Sequence, residues 1–167
     1  ANQFHPNSEV VSRMVSGNIH KTNYSEVCTR SRKLASALEK DGYKEGDVIA
    51  TLALNTYRHL EMYYGISGMG GINHTLNFRL HPEQAVCIIN HAEDKVIFCE
   101  TPFIPILEGL QENLKCVEKY IILCDLSEMP DTKLKNAISY EEYIKDGDEN
   151  YEWPALADDA ACALCYT

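Results

Sequence analysis

The spacing of apolar residues near the start of the chain predicts an amphipathic helix. Val27 and Leu34 lie two helical turns apart on one face, whereas lysine and arginine side chains mark the opposite, outer face. Thr22 or Ser25 offers a hydroxyl that can cap the first turn, and Gly42 is placed to end the helix. One face of this helix is therefore expected to be buried.

Several apolar runs have the length and character of buried strands. They are residues 47–55, 72–76, 95–100, 119–125 and 161–167. Runs with so few polar positions are typical of strands that are covered on both faces of a sheet. The last run, "ACALCYT", follows two aspartates and is expected to enter the interior as a strand.

Helical segments separate these strands. Residues 56–68 form one predicted helix, and Pro82 is placed in the first turn of the next. A short helix interrupted at Pro105 follows, and Ser139 is expected to cap a surface helix. Strands that alternate with helices through short joints predict an α/β fold around a largely parallel sheet.

Composition suggests three segments along the chain. Residues 1–128 are predicted to form an α/β lobe. Residues 129–157 are polar and acidic, and are expected to be a connecting excursion. Residues 158–167 are the final predicted strand with its approach.

Charge and size restrict the class of protein. The 167 residues are 45% hydrophobic, which is enough for a folded core, and the net charge is −10. Residues 1–84 carry nine lysines and arginines against eight acids, whereas residues 85–167 carry six against seventeen. Because the acidic half repels phosphate backbones, no nucleic-acid partner is expected. The acidic surface is interpreted as a solvated face.

Cysteines and hydropathy indicate the compartment. Seven cysteines, mostly inside apolar runs, are interpreted as buried free thiols of a cytoplasmic protein. Cys162 and Cys165 are spaced as in some zinc and redox sites, but without a second pair a packing role is favoured. No apolar run approaches the roughly 18–20 residues of a membrane span. Both chain ends are interpreted as cut, because the sequence opens at Ala1.

Polar residues at the carboxyl ends of the predicted strands are the first candidates for a ligand site. Ligands of doubly wound sheets bind at these ends, where Glu100 and Asp125 lie. Either carboxylate can act as an acid, a base or a metal ligand, but such residues also begin helices, and that role is favoured. His74 is likewise interpreted as a packing residue rather than a pocket residue.

Motifs for phosphate binding and hydrolysis are missing from these residues. The "GMGG" turn at 68–71 precedes a strand and not a helix, so it lacks the geometry of a phosphate cradle. The sequence contains no G-x-x-x-x-G-K-[ST], G-x-S-x-G or H-E-x-x-H pattern. We therefore assign no catalytic residue and no metal ligand from pattern alone.

Four segments in a fixed order carry a resemblance to a known family. "TNYSEV", "GDVIATLALN", "GINHTLNFRL" and "INHAED" together resemble the N-terminal lobe of adenylate-forming acyl-CoA synthetases, specifically the medium-chain and long-chain fatty acid ligases. The resemblance extends from about Ser8 to Thr167. One departure is Phe78, which stands where the family has proline, so that loop is expected to have a freer path.

The resemblance implies that the chain is an N-terminal fragment of the synthetase large domain. In the family, "CYT" leads into a glycine-rich loop with a lysine that binds the ATP phosphates, so Thr167 is implied as a partial ATP contact. The whole enzyme would use ATP, Mg²⁺ and coenzyme A to convert a fatty acid into its thioester through an acyl-adenylate. The fragment alone is expected to be inactive and to bind none of these.

An alternative interpretation is a stand-alone, non-catalytic α/β module of the same fold that serves binding or assembly. Its unpaired terminal strand would invite association, which makes this alternative less favoured. Acyl-chain length is left open, and so is oligomeric state, including a homo-oligomer.

Overall fold

The computed structural model describes residues 1–166. The strands are β1 (Glu9–Arg13), β2 (Ile19–Asn23), β3 (Val48–Leu52), β4 (Ile72–Thr75), β5 (Val96–Cys99), β6 (Lys119–Ile122), β7 (Ala137–Ser139) and β8 (Ala163–Leu164). The helices are α1 (Tyr24–Lys40), α2 (Tyr57–Gly68), α3 (Pro82–Ala92), α4 (Ile104–Leu110) and α5 (Tyr140–Ile144). Each predicted helix and each predicted strand corresponds to one of these elements.

Six strands form one sheet in the order β7-β6-β5-β3-β4-β8, and every neighbouring pair is parallel. Strands β1 and β2 form a separate antiparallel hairpin before α1. The predicted α/β fold with a parallel sheet is therefore confirmed.

Helices cover both faces of the sheet and divide the core in two. One core cluster joins Ile49 and Phe98 of the strands to residues of α1, α2 and α5. The other joins Ala50 and Ile97 to residues of α3 and α4. Successive strand residues point to opposite faces, so Ile49 and Ala50 serve different clusters. This two-sided burial explains why the central strands are almost purely apolar.

Helix α1 has its buried face where the spacing predicts it, but its N-cap differs from the prediction. Val27 and Leu34 are buried. Neither Thr22 nor Ser25 is the cap, because Asn23 precedes the first helical residue, and its side chain accepts a 3.0 Å hydrogen bond from the Glu26 backbone. The Thr22 hydroxyl instead donates to the Glu26 carboxylate.

Two helix predictions require correction. Pro105 does not interrupt α4 but lies in its first turn. Backbone N–H groups of the first turn make no hydrogen bond within the helix, so the N–H that proline lacks is not needed there. Helix α5 is capped by Ser139 as predicted. It is not purely a surface helix, however, because Tyr140 and Ile144 are buried in the core. Strand β7 and α5 both fall within residues 129–157, and the connecting role of the rest of that segment stays a prediction.

The terminal strand is the clearest difference from the sequence-based expectation. Strand β8 is short and pairs only with β4, at the edge of the sheet. Ala163 is exposed and Leu164 is only half-buried, so the expectation of an interior strand is wrong for the described residues. An edge strand has one neighbouring strand, so its residues are covered less than those of the central strands. The part of this prediction that concerns Thr167 lies outside the described residues.

A membrane-spanning element is not found among the helices of residues 1–166, since none combines enough length with enough apolar character.

Candidate functional site

The order of strands marks one place where a ligand crevice is expected. Strand β3 pairs with β4 on one side and with β5 on the other, so the chain reverses its direction of travel across the sheet between β4 and β5. In open parallel sheets, ligands bind outside the carboxyl ends of the strands at such a point. Leu52 and Cys99 end β3 and β5, and the residues that follow them form the candidate site.

Glu100 follows β5 directly and lies at this reversal point. It is 2% exposed, and the Thr56 hydroxyl, from the segment after β3, donates to it at 3.4 Å. Burial raises the pKa of Glu100 to about 7, against the lowering effect of the nearby Arg58. Its carboxyl group can therefore exchange a proton near neutral pH.

Arg58, in the first turn of α2, connects the carboxyl end of β6 to α5. Only 3% exposed, it donates through Nε to Glu141 at 2.9 Å and through a terminal nitrogen to the carbonyl of Leu123. Its other terminal nitrogen pairs with Asp125. Burial opposes the charge on Arg58, but Tyr57 and the carboxylates of Glu141 and Asp125 outweigh it and raise its pKa. Asp125, a candidate from the sequence, is thus an ion-pair partner here.

Glu100 and Arg58 both line a cavity of about 500 Å³. The lining includes apolar side chains, among them Met14 of the hairpin loop and Ile104 of α4, and also the acidic Glu108. The size lies within the range of small-molecule pockets. In the described part of the chain this cavity offers proton exchange and an apolar wall, but no activated nucleophile.

No metal centre is built from residues 1–166, since no group of three or more His, Cys, Asp or Glu side chains in that range is arranged to hold an ion.

Replacing Glu100 with glutamine is expected to stabilise the protein increasingly as pH rises. The folded-state pKa of about 7 lies above the ordinary 4.5, so ionisation between these values destabilises the folded state, and glutamine removes that effect. The gain over wild type should approach about 3 kcal/mol above pH 7 and vanish at acidic pH. Urea unfolding across this pH range measures it.

Glu108→Gln is the matched control, because this carboxylate lines the same cavity but accepts hydrogen bonds from Thr132 and the Lys133 backbone. Those hydrogen bonds lower the pKa of Glu108. The Glu108→Gln variant should therefore become less stable relative to wild type as pH rises. If both variants showed the same pH trend relative to wild type, the raised pKa assigned to Glu100 would be wrong.

His74 is buried as predicted for a packing residue, and it has a partner that the sequence did not reveal. It is 1% exposed, and its Nδ1 lies 2.8 Å from the carboxylate of the fully buried Asp94. Burial raises the pKa of Asp94, against the lowering effect of the imidazole. Nε2 of His74 has no hydrogen-bond partner within residues 1–166.

A second buried ionic group lies between α1, α2 and α5. Arg30 donates to Glu61 at 2.7 Å and to both oxygens of Glu141, and the Tyr140 hydroxyl donates to Glu61 at 2.9 Å. Glu61 is fully buried. The sequence feature that could have indicated this group is Glu61 itself, a charged residue next to Leu60 on a helix expected to pack on the sheet. The sequence does not show which residues pair with it.

The cysteines only partly match their predicted burial. Cys99 and Cys124 are buried, but Cys87, Cys162 and Cys165 are exposed. All are free thiols. The last two flank the edge strand β8, whose exposure explains theirs.

Phe78, the residue that departs from the family pattern, lies in the loop after β4. Asn77 accepts a hydrogen bond from the Arg79 backbone through its side chain and from the Leu80 backbone through its carbonyl. The ring of Phe78 stacks on Phe103 at 5.2 Å. These contacts define the path of the loop without proline. Thr167, the candidate ATP contact, lies outside the described residues.

Comparison with known proteins identifies a family and several relatives that this chain resembles. A family model described as "AMP-binding enzyme" matches residues 1–167. The chain is 41% identical over its whole length to a medium-chain-fatty-acid–CoA ligase of Ectopseudomonas oleovorans. It is 37% identical over its whole length to a 3-methylmercaptopropionyl-CoA ligase of Ruegeria pomeroyi, and 37% identical over 95% of its length to a long-chain-fatty-acid–CoA ligase of Thermus thermophilus.

The chain spans about a third of the length of these relatives: 31%, 31% and 28% in the same order.

Solved structures share the fold at low sequence identity. A crystal structure of an anthranilate CoA ligase in complex with anthranoyl-AMP matches 89% of this chain with a TM-score of 0.80 and 20% identity, over 27% of its own length. Coronafacic acid ligase from Pectobacterium brasiliense matches 88% with a TM-score of 0.77 and 18% identity, over 29% of its own length.

Proposed function

We propose, since this chain belongs to the AMP-binding enzyme family, that it is the N-terminal part of an ATP-dependent ligase that joins a fatty acid to coenzyme A. The observation that carries the proposal is the family match across all 167 residues together with relatives at 37–41% identity that are CoA ligases. The sheet order, with β8 running parallel to β4 toward position 167, is compatible with it.

The proposed reaction has two steps. A carboxylate oxygen attacks the α-phosphate of ATP, the bond to the β-phosphate breaks, and acyl-adenylate and pyrophosphate form. The thiol of coenzyme A then attacks the acyl carbon, AMP leaves with the bonding electron pair, and the thiol proton is released. Both steps depend on positioning and charge stabilisation at the phosphates.

The contribution of these residues is proposed to be structural, with one ligand contact. The sheet supports the segment that begins at Thr167, which we propose as a contact to the ATP phosphates. Mg²⁺ would neutralise phosphate charge in such a reaction. Residues 1–166 contain no cluster suited to hold it, so no Mg²⁺ ligand is assigned to them.

The proposed substrate class is a medium-chain or long-chain fatty acid. Two of the relatives carry that class in their names, and the third is a 3-methylmercaptopropionyl-CoA ligase. We propose a cytoplasmic enzyme and leave its oligomeric state open. The alternative of a stand-alone binding module has less support, because within residues 1–166 β8 pairs on one side alone, and such an edge invites association.

The proposal is tested with the full-length protein that carries this chain. Pyrophosphate exchange into ATP and thioester formation are measured with fatty acids of graded length and with 3-methylmercaptopropionate. We expect fatty-acid-dependent exchange, and thioester only when coenzyme A is added. Exchange with 3-methylmercaptopropionate alone would overturn the substrate class, and no exchange with any acid would overturn the ligase assignment.

The isolated 167-residue chain serves as the comparison, and we expect it to support no exchange. In the resembled family, the glycine-rich loop and its lysine come after Thr167, so the isolated chain would lack most of the phosphate contacts. Exchange at a rate near that of the full-length protein would contradict this expectation.

A further inference from the structure

Tyr166 lies two residues beyond the end of β8 and precedes Thr167 in the sequence, and its side chain contacts His91 and His74. Its hydroxyl lies 2.6 Å from Nδ1 of His91, and the two rings meet edge to face with centroids 5.8 Å apart. Its ring centroid also lies 5.2 Å from that of His74. Tyr166 is half-buried, whereas the neighbouring Cys165 is exposed.

The imidazole of His74 is a fixed contact for the Tyr166 ring. It is 1% exposed, and Asp94 holds its Nδ1 at 2.8 Å, which sets the plane of the imidazole. Its backbone pairs with Leu164 of β8, two residues before Tyr166. The 5.2 Å distance between the ring centroids places the Tyr166 side chain on the same side of the sheet as that of His74.

Both supports belong to rigid elements. His91 lies in the last turn of α3 and His74 within β4, whereas Asp94 comes two residues after the end of α3. Groups held on helices and strands fix a position more narrowly than groups on loops. We call His74, His91 and Asp94 the Tyr166 seat.

We infer that the Tyr166 seat positions the end of β8, and through it Thr167, for contact with the ATP phosphates. This inference rests on the proposed function. Within the described residues, β8 contributes two ladder residues and has one neighbouring strand, so backbone pairing alone holds it weakly. Tyr166 immediately precedes the proposed ATP contact in the sequence, so loss of its hydrogen bond is expected to affect ATP binding first. The seat residues are positioning residues, since none is assigned a contact with substrate.

The first test is Tyr166→Phe in the full-length protein, which keeps the ring and removes only the hydroxyl. We expect the KM for ATP to rise about fivefold, as for one lost hydrogen bond, while the KM for the fatty acid stays unchanged. A loss of folded protein would instead lower the apparent kcat and leave both KM values as they are. The split between the two substrates therefore separates positioning from a general structural role.

Tyr143→Phe is the matched control, because it also removes one hydroxyl that donates to a single partner, Asp41, at 2.9 Å. Tyr143 belongs to α5, which contacts α1 and β7 rather than β8.

His91→Asn keeps a polar group near the position of Nδ1 and should retain most of the ATP affinity, whereas His91→Leu should match Tyr166→Phe. Equal KM values for ATP in wild type, Tyr166→Phe and His91→Leu would overturn the inference.

Hydrogen exchange of the full-length protein gives a readout that does not depend on activity. In Tyr166→Phe, we expect amides of residues 163–166 to exchange about fivefold faster, while those of β6 are unchanged. If the wild type shows no ligase activity, the proposed function is wrong, and faster exchange at β8 still supports the seat. Unchanged exchange at β8 overturns the seat whether or not the enzyme is active.

Discussion

Arg30→Met is expected to lower the free energy of unfolding by about 3–5 kcal/mol at slightly alkaline pH, because it leaves a buried carboxylate without its cation. Glu61 is fully buried, and Arg30 is its only cationic partner in the described part of the chain. Arg30 also binds Glu141, but Glu141 keeps Arg58. The cost should therefore come mainly from Glu61. Urea unfolding measures the change.

The pH dependence of this loss has a definite sign. Burial raises the pKa of Glu61 to about 7, although Arg30 and Tyr140 act to lower it. Without Arg30 the folded-state pKa rises further, so the unpaired charge destabilises the variant most at high pH. As pH falls through the folded-state pKa, protonation relieves that effect and the loss should shrink.

Two variants control this prediction. Lys21→Met removes the cation of an exposed pair with Glu9 and should cost no more than about 1 kcal/mol. Arg30→Met combined with Glu61→Gln should recover most of the loss, because glutamine is neutral and can still accept from Tyr140. A double variant as unstable as Arg30→Met would show that the buried charge is not the cause.

Phe98→Ala is expected to cost a similar amount, about 3–5 kcal/mol, through loss of apolar burial and a cavity in the centre of the sheet. Phe98 is fully buried on β5 and meets Tyr140 and Tyr143 edge to face, both at 6.2 Å. These partners come from α5, so truncation at Phe98 also loosens the attachment of that helix. The midpoint of urea unfolding and the near-ultraviolet signal of the tyrosines report both effects.

Phe78→Ala is the matched control for that substitution. Phe78 is 43% exposed, and its ring stacks on Phe103 and contacts the Arg79 guanidinium, so its truncation should cost about 1 kcal/mol or less. Equal losses for the two phenylalanines would contradict a core centred on Phe98.

The pattern of apolar residues predicted most of the elements because the central strands are covered on both faces. Residues 47–55 and 95–100 were assigned to strands for that reason, and they contain β3 and β5. Strand β7 was missed: its three residues are too few to show a period, and they lie in an acidic segment. The terminal run has the same apolar character as β3, yet β8 is an exposed edge.

The candidate site was predicted less completely than the fold. Glu100 and Asp125 were found because the carboxyl ends of strands can be located from the sequence. Arg58 was not, because an arginine in a helix gives no sign that it will be buried beside them. Asp94 and His74 lie twenty positions apart and meet only in the folded structure, after the chain has passed through α3.

The sequence by itself determined the α/β class, the succession of strands and helices, and the resemblance that leads to the ligase proposal, because these depend on local periodicity and on the order of short segments. Only the tertiary structure decided which strands are neighbours, which charged groups are buried together, and that β8 is an edge strand. Those features depend on contacts between residues far apart in the chain, whose free energies no local pattern encodes.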